Sequence, residues 1–258
     1  MTGIVPVGLV PLRVSDSEQS EMCSQLLFGE RVEVLEVREK WLYLRNLSDD
    51  YRGWADRKMI YILSEEEERN LGNLVFKYIQ VPVSNYRDNI LSTNVLLPGG
   101  SRIPHDGDKQ YQFANKNITV RTADLVEEAA TGQRIVDLAR QYQGAPYLWG
   151  GKSVLGIDCS GLVQVVYSMC DILLPRDASQ QVLCGEKVES LAEIKAGDLA
   201  FFKNAKDRVI HVGIMIDGKH IIHASGWVKI DFMDERGIVS MQTGEYTHTL
   251  HSVRRIIL

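Results

Sequence analysis

The sequence predicts an α+β domain at the C-terminal end of the chain, preceded by two small all-β barrels. Three observations carry this. Up to residue 123 the chain consists of short β-branched or aromatic runs separated by turn residues. Near residue 124 the apolar spacing becomes helical. After a second helical stretch the β pattern returns, so helices come first and strands afterwards.

Residues 1–62 contain the runs VPVGLVPLRV, ERVEVLEVRE, WLYLRNL and RGWADRKMI. Ser15-Asp16-Ser17, Phe28-Gly29-Glu30 and Ser48-Asp49-Asp50 separate them as turn signals, which suits a first barrel. Residues 63–123 form the second. The charged SEEEERN at 64–70 reads as a linker, and LVFKYIQVPV, TNVLLPGGSRIP and YQFANKNITVRT read as strands. Pro98-Gly99-Gly100 and the His-Asp-Gly-Asp segment 105–108 are turn signals.

Residues 124–258 form the third region. In DLVEEAATGQRIVDLARQYQG, Ile135, Leu138, Ala139 and Tyr142 fall at i, i+3, i+4 and i+7, and Gly144 and Pro146 end the helix. A second helix over 159–170 is apolar nearly all round, which places it in the middle of a core. GDLAFFK, HVGIMI, KHIIHAS and HSVRRIIL follow as strands.

Composition sets limits on function. The 258 residues carry a net charge of −5, which argues against a nucleic-acid partner and gives no reason to expect an anionic membrane surface. No apolar run approaches the roughly 18–20 residues that span a bilayer. The stretch MTGIVPVGLVPLRV has two prolines and no basic n-region, so a cytoplasmic protein is expected; a removed leader would make it periplasmic. Four cysteines with no CxxC give free thiols rather than a disulfide scaffold or structural zinc. No metal and no cofactor are expected, and the chain is expected to act as a monomer.

The chemistry centres on GIDCSGLVQVVY, residues 156–167, which puts Cys159 at the start of the buried helix. The unpaired N–H groups and the helix dipole should lower the thiol pKa there. The same N–H groups can hold an oxyanion. A small buried hydrophobe is the alternative reading of Cys159. A nucleophilic cysteine needs an imidazole to take and return its proton. His211 opens the strand HVGIMI, and His223 lies twelve residues on, across an Asp217-Gly218 turn signal. A two-residue loop would put 211 and 223 on opposite faces. A three-residue loop Ile216-Asp217-Gly218, with Gly218 left-handed, pairs 215 with 219 and sets His211 directly opposite His223. That register is expected, with His223 orienting His211 as in a triad. Structural histidines are the alternative for each taken alone.

The motifs PYLWGGKSVLGIDCSGLVQVVY, LPRDASQQ, AGDLAFF, HVGIMID and IIHASG occur in this order over residues 131–258. Together they resemble the NlpC-type family of bacterial cell-wall cysteine peptidases, which implies a papain-like fold. The segment LRVSDSEQSEMCSQLLFGERVEVLE, followed by a Trp and DDYRGW, resembles a bacterial SH3-like domain. Two such domains before a peptidase are similar to the γ-D-glutamyl-L-diamino-acid endopeptidases.

The resemblance implies a small muropeptide substrate, cut between γ-D-Glu and the diamino acid, with a free N-terminal L-Ala. It implies Cys159 as nucleophile, His211 as base and His223 as the orienting residue. Asp158 matches the position that takes the substrate amine, while an N-cap is its reading from the residues alone. Tyr147 and Trp149 match aromatic site residues, with core packing as the alternative. Ser160 and Asp177 match substrate-contacting positions, and Ala178 stands where some relatives have Ser. In the first barrel, Glu21 and Tyr51 match positions that reach the substrate amine and narrow one end of the cleft; solvated loop residues are the alternative. Two further functions fit the same residues: a non-catalytic wall-peptide binding module, and an acyltransferase on the same fold.

Overall fold

Alternating burial along short runs builds the first sheet. In the computed structural model, β2 (Leu9–Arg13) buries Val10 and Leu12, and β5 (Trp41–Asn46) buries Leu42 and Leu44. The structure describes residues 1–105, 110–114, 116–120, 122–125 and 128–257, so all but the first residue of the turn signal at 105–108 lies outside the described residues. The chain divides into two compact units, Met1–Val126 and Glu127–Leu258.

The first unit opens with β1 (Thr2–Ile4), β2, β3 (Met22–Leu27), β4 (Arg31–Val37), β5, β6 (Arg52–Asp56) and β7 (Tyr61–Ile62). They form one antiparallel sheet in the order β3-β2-β6-β5-β4-β1-β7 around Val5, Val10, Leu12, Leu26, Val32, Leu42, Leu44 and Ala55. β3 was not among the expected strands.

SEEEERN is a helix rather than a linker. α1 (Glu65–Gly72) is capped by Ser64, whose hydroxyl accepts from the Glu67 N–H while the Glu67 carboxylate accepts from the Ser64 N–H. This reciprocal cap, with four glutamates in the first turn, satisfies the helix N-terminus and its dipole.

β8 (Val75–Tyr78) and β11 (Arg102–His105) then pair with each other. β9 (Val83–Asp88), β10 (Thr93–Pro98), β12 (Gln110–Phe113) and β13 (Lys116–Val120) make a four-stranded sheet. Ile4 and Phe28 share a buried cluster with Ile79, Tyr86, Leu97, Ile103 and Ile118, so the two β regions of this unit have a common core.

The second unit begins with α2 (Gly132–Arg140), capped by Thr131 and shorter than the helical pattern suggested. β14 (Lys152–Ser153) and β15 (Gly156–Ile157) lead into α3 (Cys159–Ser168), in which Cys159 through Tyr167 are all buried. α4 (Ala178–Gln181) and β16 (Glu186–Lys187) follow. The chain then forms β17 (Leu199–Lys203), β18 (Val209–Met215), β19 (His220–Ser225), β20 (Trp227–Met233), β21 (Gly237–Val239) and β22 (Tyr246–Arg255). The sheet order is β16-β22-β17-β18-β19-β20-β21, and β21 also pairs with β22, so the sheet closes on itself.

The β18–β19 register differs from the expected one. Ile214 pairs with Ile222 and Met215 with Ile221, and the Ile216 N–H donates to the His220 carbonyl. The loop is therefore Asp217-Gly218-Lys219, and Gly218 is not left-handed. The cause is the Asp217 carboxylate, whose Oδ1 accepts from the N–H groups of Lys219 (2.8 Å) and His220 (2.9 Å) and so closes the turn one residue later. This register sets Gly213, not His211, opposite His223. His211 still lies on the His223 face, one diagonal step away.

Candidate active site

The start of α3 is fixed by Asp158. Its Oδ1 accepts from the Gly161 N–H at 2.7 Å, an N-cap, and its Oδ2 accepts from the Gly150 N–H at 2.8 Å. Arg176 donates to both oxygens, at 3.0 and 2.5 Å, and the Ser160 hydroxyl donates to Oδ1 at 3.3 Å. The N-cap reading is thus met, and five donors already use a carboxylate that is 5% exposed. Arg176 also donates to Ser160 Oγ at 2.9 Å, and Gln181 donates to the Ser160 carbonyl at 3.1 Å. This buried network ties α3 to the LPRDASQQ segment. A side chain at Gly161 would put Cβ 2.3 Å from the Gly151 carbonyl oxygen, so only glycine lets that loop close on the helix.

Cys159 is buried at the first position of α3. Its sulfur is hydrogen-bonded by the backbone N–H groups of Val212, the residue after His211, and of Ser160. β18 thereby brings the backbone next to the base candidate to the thiol. The expected drop in thiol pKa is overturned. Burial, and then the Asp158 charge, push it up to about 11, outweighing the backbone N–H groups and Arg176 that pull the other way. His211 is held well below the usual imidazole value, by burial first and then by His223 and His248. Thiol and imidazole therefore rest as a neutral pair.

Behind His211 runs a relay. Its Nε2 lies 2.8 Å from Nδ1 of His223, and Nε2 of His223 lies 3.0 Å from Oδ2 of Asp231. Burial raises the Asp231 pKa, but the His223 bond and the Met241 N–H at 2.8 Å outweigh it, so the group sits below the ordinary carboxylate range. An ionised carboxylate only accepts, which fixes the remaining protons. His223 donates from Nε2 and accepts at Nδ1. His211 must then donate from Nε2, leaving its Nδ1 lone pair as the base. Asp231, Lys229 (3.3 Å from Asp231), Arg176 and His248 were not anticipated. The one available signal was an acidic residue inside the apolar pattern of WVKIDFM.

Tyr147 is half-buried, and burial, then the Cys159 and Asp158 charges, push its phenol up to about 12, so it keeps its proton. Trp149 is 60% exposed. Asp177 caps α4. Glu21 and Tyr51 belong to the first unit, Glu21 exposed just before β3 and Tyr51 half-buried just before β6. Among the described residues no helix is long and apolar enough to cross a membrane.

Residues 144–255 match the NlpC/P60 family, and residues 12–60 match the bacterial dipeptidyl-peptidase SH3 domain. A γ-D-glutamyl-L-lysine dipeptidyl-peptidase of Bacillus subtilis is 28% identical over 82% of this chain and 77% of its own length. Dipeptidyl-peptidase 6 of Lysinibacillus sphaericus is 25% identical over 92% of this chain and 93% of its own. A crystal structure of an NlpC/P60 family protein from Bacillus cereus covers 99% of both chains at a TM-score of 0.85 and 19% identity, which shows the fold. Behind an SH3-like all-β region, the chain thus carries a papain-like α+β domain of the NlpC/P60 family, a cysteine peptidase.

Proposed function

We propose that this cell-wall peptidase hydrolyses the bond between γ-D-Glu and the diamino acid in peptidoglycan stem peptides that carry a free N-terminal L-Ala, releasing L-Ala-γ-D-Glu. The observation that carries the chemistry is the directional relay from Asp231 through His223 to His211, on the strand whose Val212 N–H bonds the Cys159 sulfur. The names of the two relatives that match most of the chain support the substrate class.

In this reading His211 Nδ1 takes the Cys159 proton as sulfur attacks the γ-carbonyl carbon. The oxyanion meets N–H groups at the start of α3, and the protonated Tyr147 hydroxyl is a second donor. The tetrahedral intermediate collapses, the C–N bond breaks, and His211 gives its proton to the leaving amine. Water then attacks the thioester with His211 as base, restoring the thiol. Ser160, Trp149 and Asp177 complete the proposed substrate contacts of the second unit. An ammonium reaching Asp158 must share oxygens that already accept from Arg176 and two backbone N–H groups.

The test is digestion of L-Ala-γ-D-Glu-L-diamino acid tripeptides, free and N-acetylated, read by mass spectrometry. The reading expects the dipeptide from the free substrate, little from the acetylated one, and none with Cys159→Ala. Equal rates on both substrates would reject amine recognition, and undiminished turnover by the variant would remove Cys159 from the mechanism.

A further inference from the structure

His248 lies on the imidazole of His211. The two ring centroids are 4.2 Å apart with planes 24° apart, a stacked pair. Phe202 closes the same corner, 5.9 Å from each ring, and His223 meets both histidines edge-on, at 5.1 Å from His211 and 5.8 Å from His248. His211 is therefore clamped between a hydrogen bond at its Nε2 edge and a ring on its face. The strand is built for this placement. Phe201 of β17 pairs with Ser252 and Phe202 with Leu250, so β22 holds one extra residue, His251, at this point. Such a bulge re-aims the side chains beyond it.

We infer that His248 is a positioning residue for the base: its ring is the platform that holds the His211 imidazole in line with His223 and faces it with a π surface while it carries the proton. The inference rests on the proposed peptidase reading of Cys159 and His211. His211 is neutral at rest and cationic only after it has taken the thiol proton. An aromatic face attracts that cation and gains nothing comparable from the neutral ring. The gain therefore appears on the way to the transition state and acts on kcat rather than KM. The charged and titratable groups around the His248 ring are His211, His223, Lys229 and Asp231. Burial first, then His223 and Lys229, hold its pKa down to about 4, so at neutral pH it offers an uncharged ring.

The experiment compares wild type, His248→Phe and His248→Leu on the free tripeptide, with thermal unfolding of each. His248→Leu fills the space without a π face and should lose about tenfold in kcat with KM within about twofold. His248→Phe restores a ring and should keep at least about half of wild-type kcat. His248→Gln, polar but ringless, carries the same expectation as the leucine variant should that one not fold. A ringless variant with wild-type kcat would overturn the inference, as would a rise in KM at constant kcat, which would mean contact with substrate. Cys159→Ala is measured alongside. Wild-type protein inactive on the tripeptide takes the peptidase reading and this inference down together. An active wild type, an inactive Cys159→Ala and normal ringless His248 variants remove the inference alone.

Discussion

The Asp231 carboxylate meets Nε2 of His223 at 3.0 Å on the diagonal of the β19–β20 ladder, where His223 pairs with Lys229 and Ile221 with Asp231. That one acceptor fixes every proton between it and the Nδ1 of His211. Asp231→Asn keeps the shape and offers an N–H₂ group to His223 Nε2, which favours the opposite tautomer. His211 would then carry its proton on the nitrogen needed as base. A loss of about 10²–10⁴ in kcat is expected, with KM little changed, in tripeptide hydrolysis. Retention of wild-type kcat would show that another group sets the tautomer.

Gly213 gives His223 its room. A Cβ at 213 would lie 2.9 Å from His223 Cβ and 2.6 Å from Ile221 Cδ1. Gly213→Val should cost about 1–3 kcal/mol in urea unfolding by overpacking and lower kcat by displacing His223. A variant of unchanged stability and activity would show that β19 shifts freely here.

How far the sequence could be read follows from the range of each signal. Cys159 at a helix start is a local feature and is observed, while His211, expected to open its strand, is the third residue of β18. The β18–β19 register was misjudged because one carboxylate, Asp217, accepts two N–H groups and moves the turn by a residue. SEEEERN reads as a linker by its charge, yet the Ser64–Glu67 spacing is a capping box. Arg176 and His248 meet their partners through tertiary packing, with His248 37 positions from His211, so no local pattern shows them; for Asp231 the one local signal was an acid inside WVKIDFM. The thiol pKa differs for another reason: N–H groups at the helix start do act on the sulfur, but burial and the adjacent Asp158 outweigh them.

Arg176 and Asp158 form an ion pair whose side chains are 1% and 7% exposed. Removing one partner strands the other's charge in a dry site. Arg176→Met should therefore cost about 3–5 kcal/mol in denaturant unfolding. Adding Asp158→Asn should recover part of that loss. If the double variant is no more stable than the single one, the cost lies in packing rather than in the stranded charge.

The neutral Cys159–His211 pair has a kinetic signature. With the thiol pKa at about 11, the thiolate fraction rises about tenfold per pH unit through pH 7–10. Alkylation of Cys159 by iodoacetamide, followed on its own peptide by mass spectrometry, should rise in the same way. A rate flat from pH 5 upwards would mean a thiolate–imidazolium pair and would contradict the burial argument.

Three histidines of the second unit are held below the ordinary imidazole value, each by burial first: His211, His223 and His248. A folded-state pKa lower than the unfolded one means that the unfolded chain binds the extra protons. Stability from these groups is therefore present above about pH 6.5 and is lost as pH falls, by at most about 1.4 kcal/mol per group per pH unit. Shifted carboxylates such as Asp217, Asp231 and Asp234 start from 3.8, so their contribution is lost only at lower pH. Glu67, also held low, starts from 4.5, so the window from about pH 6.5 to 5.5 isolates the histidines. Unfolding free energy measured across it should fall steadily with acidification. His248→Phe should reduce that slope by the share of one proton, because phenylalanine takes none up in either state. An unchanged slope in the variant would mean that His248 binds its proton equally in the folded and unfolded chain, and a slope of opposite sign would mean that the folded unit holds its histidines charged.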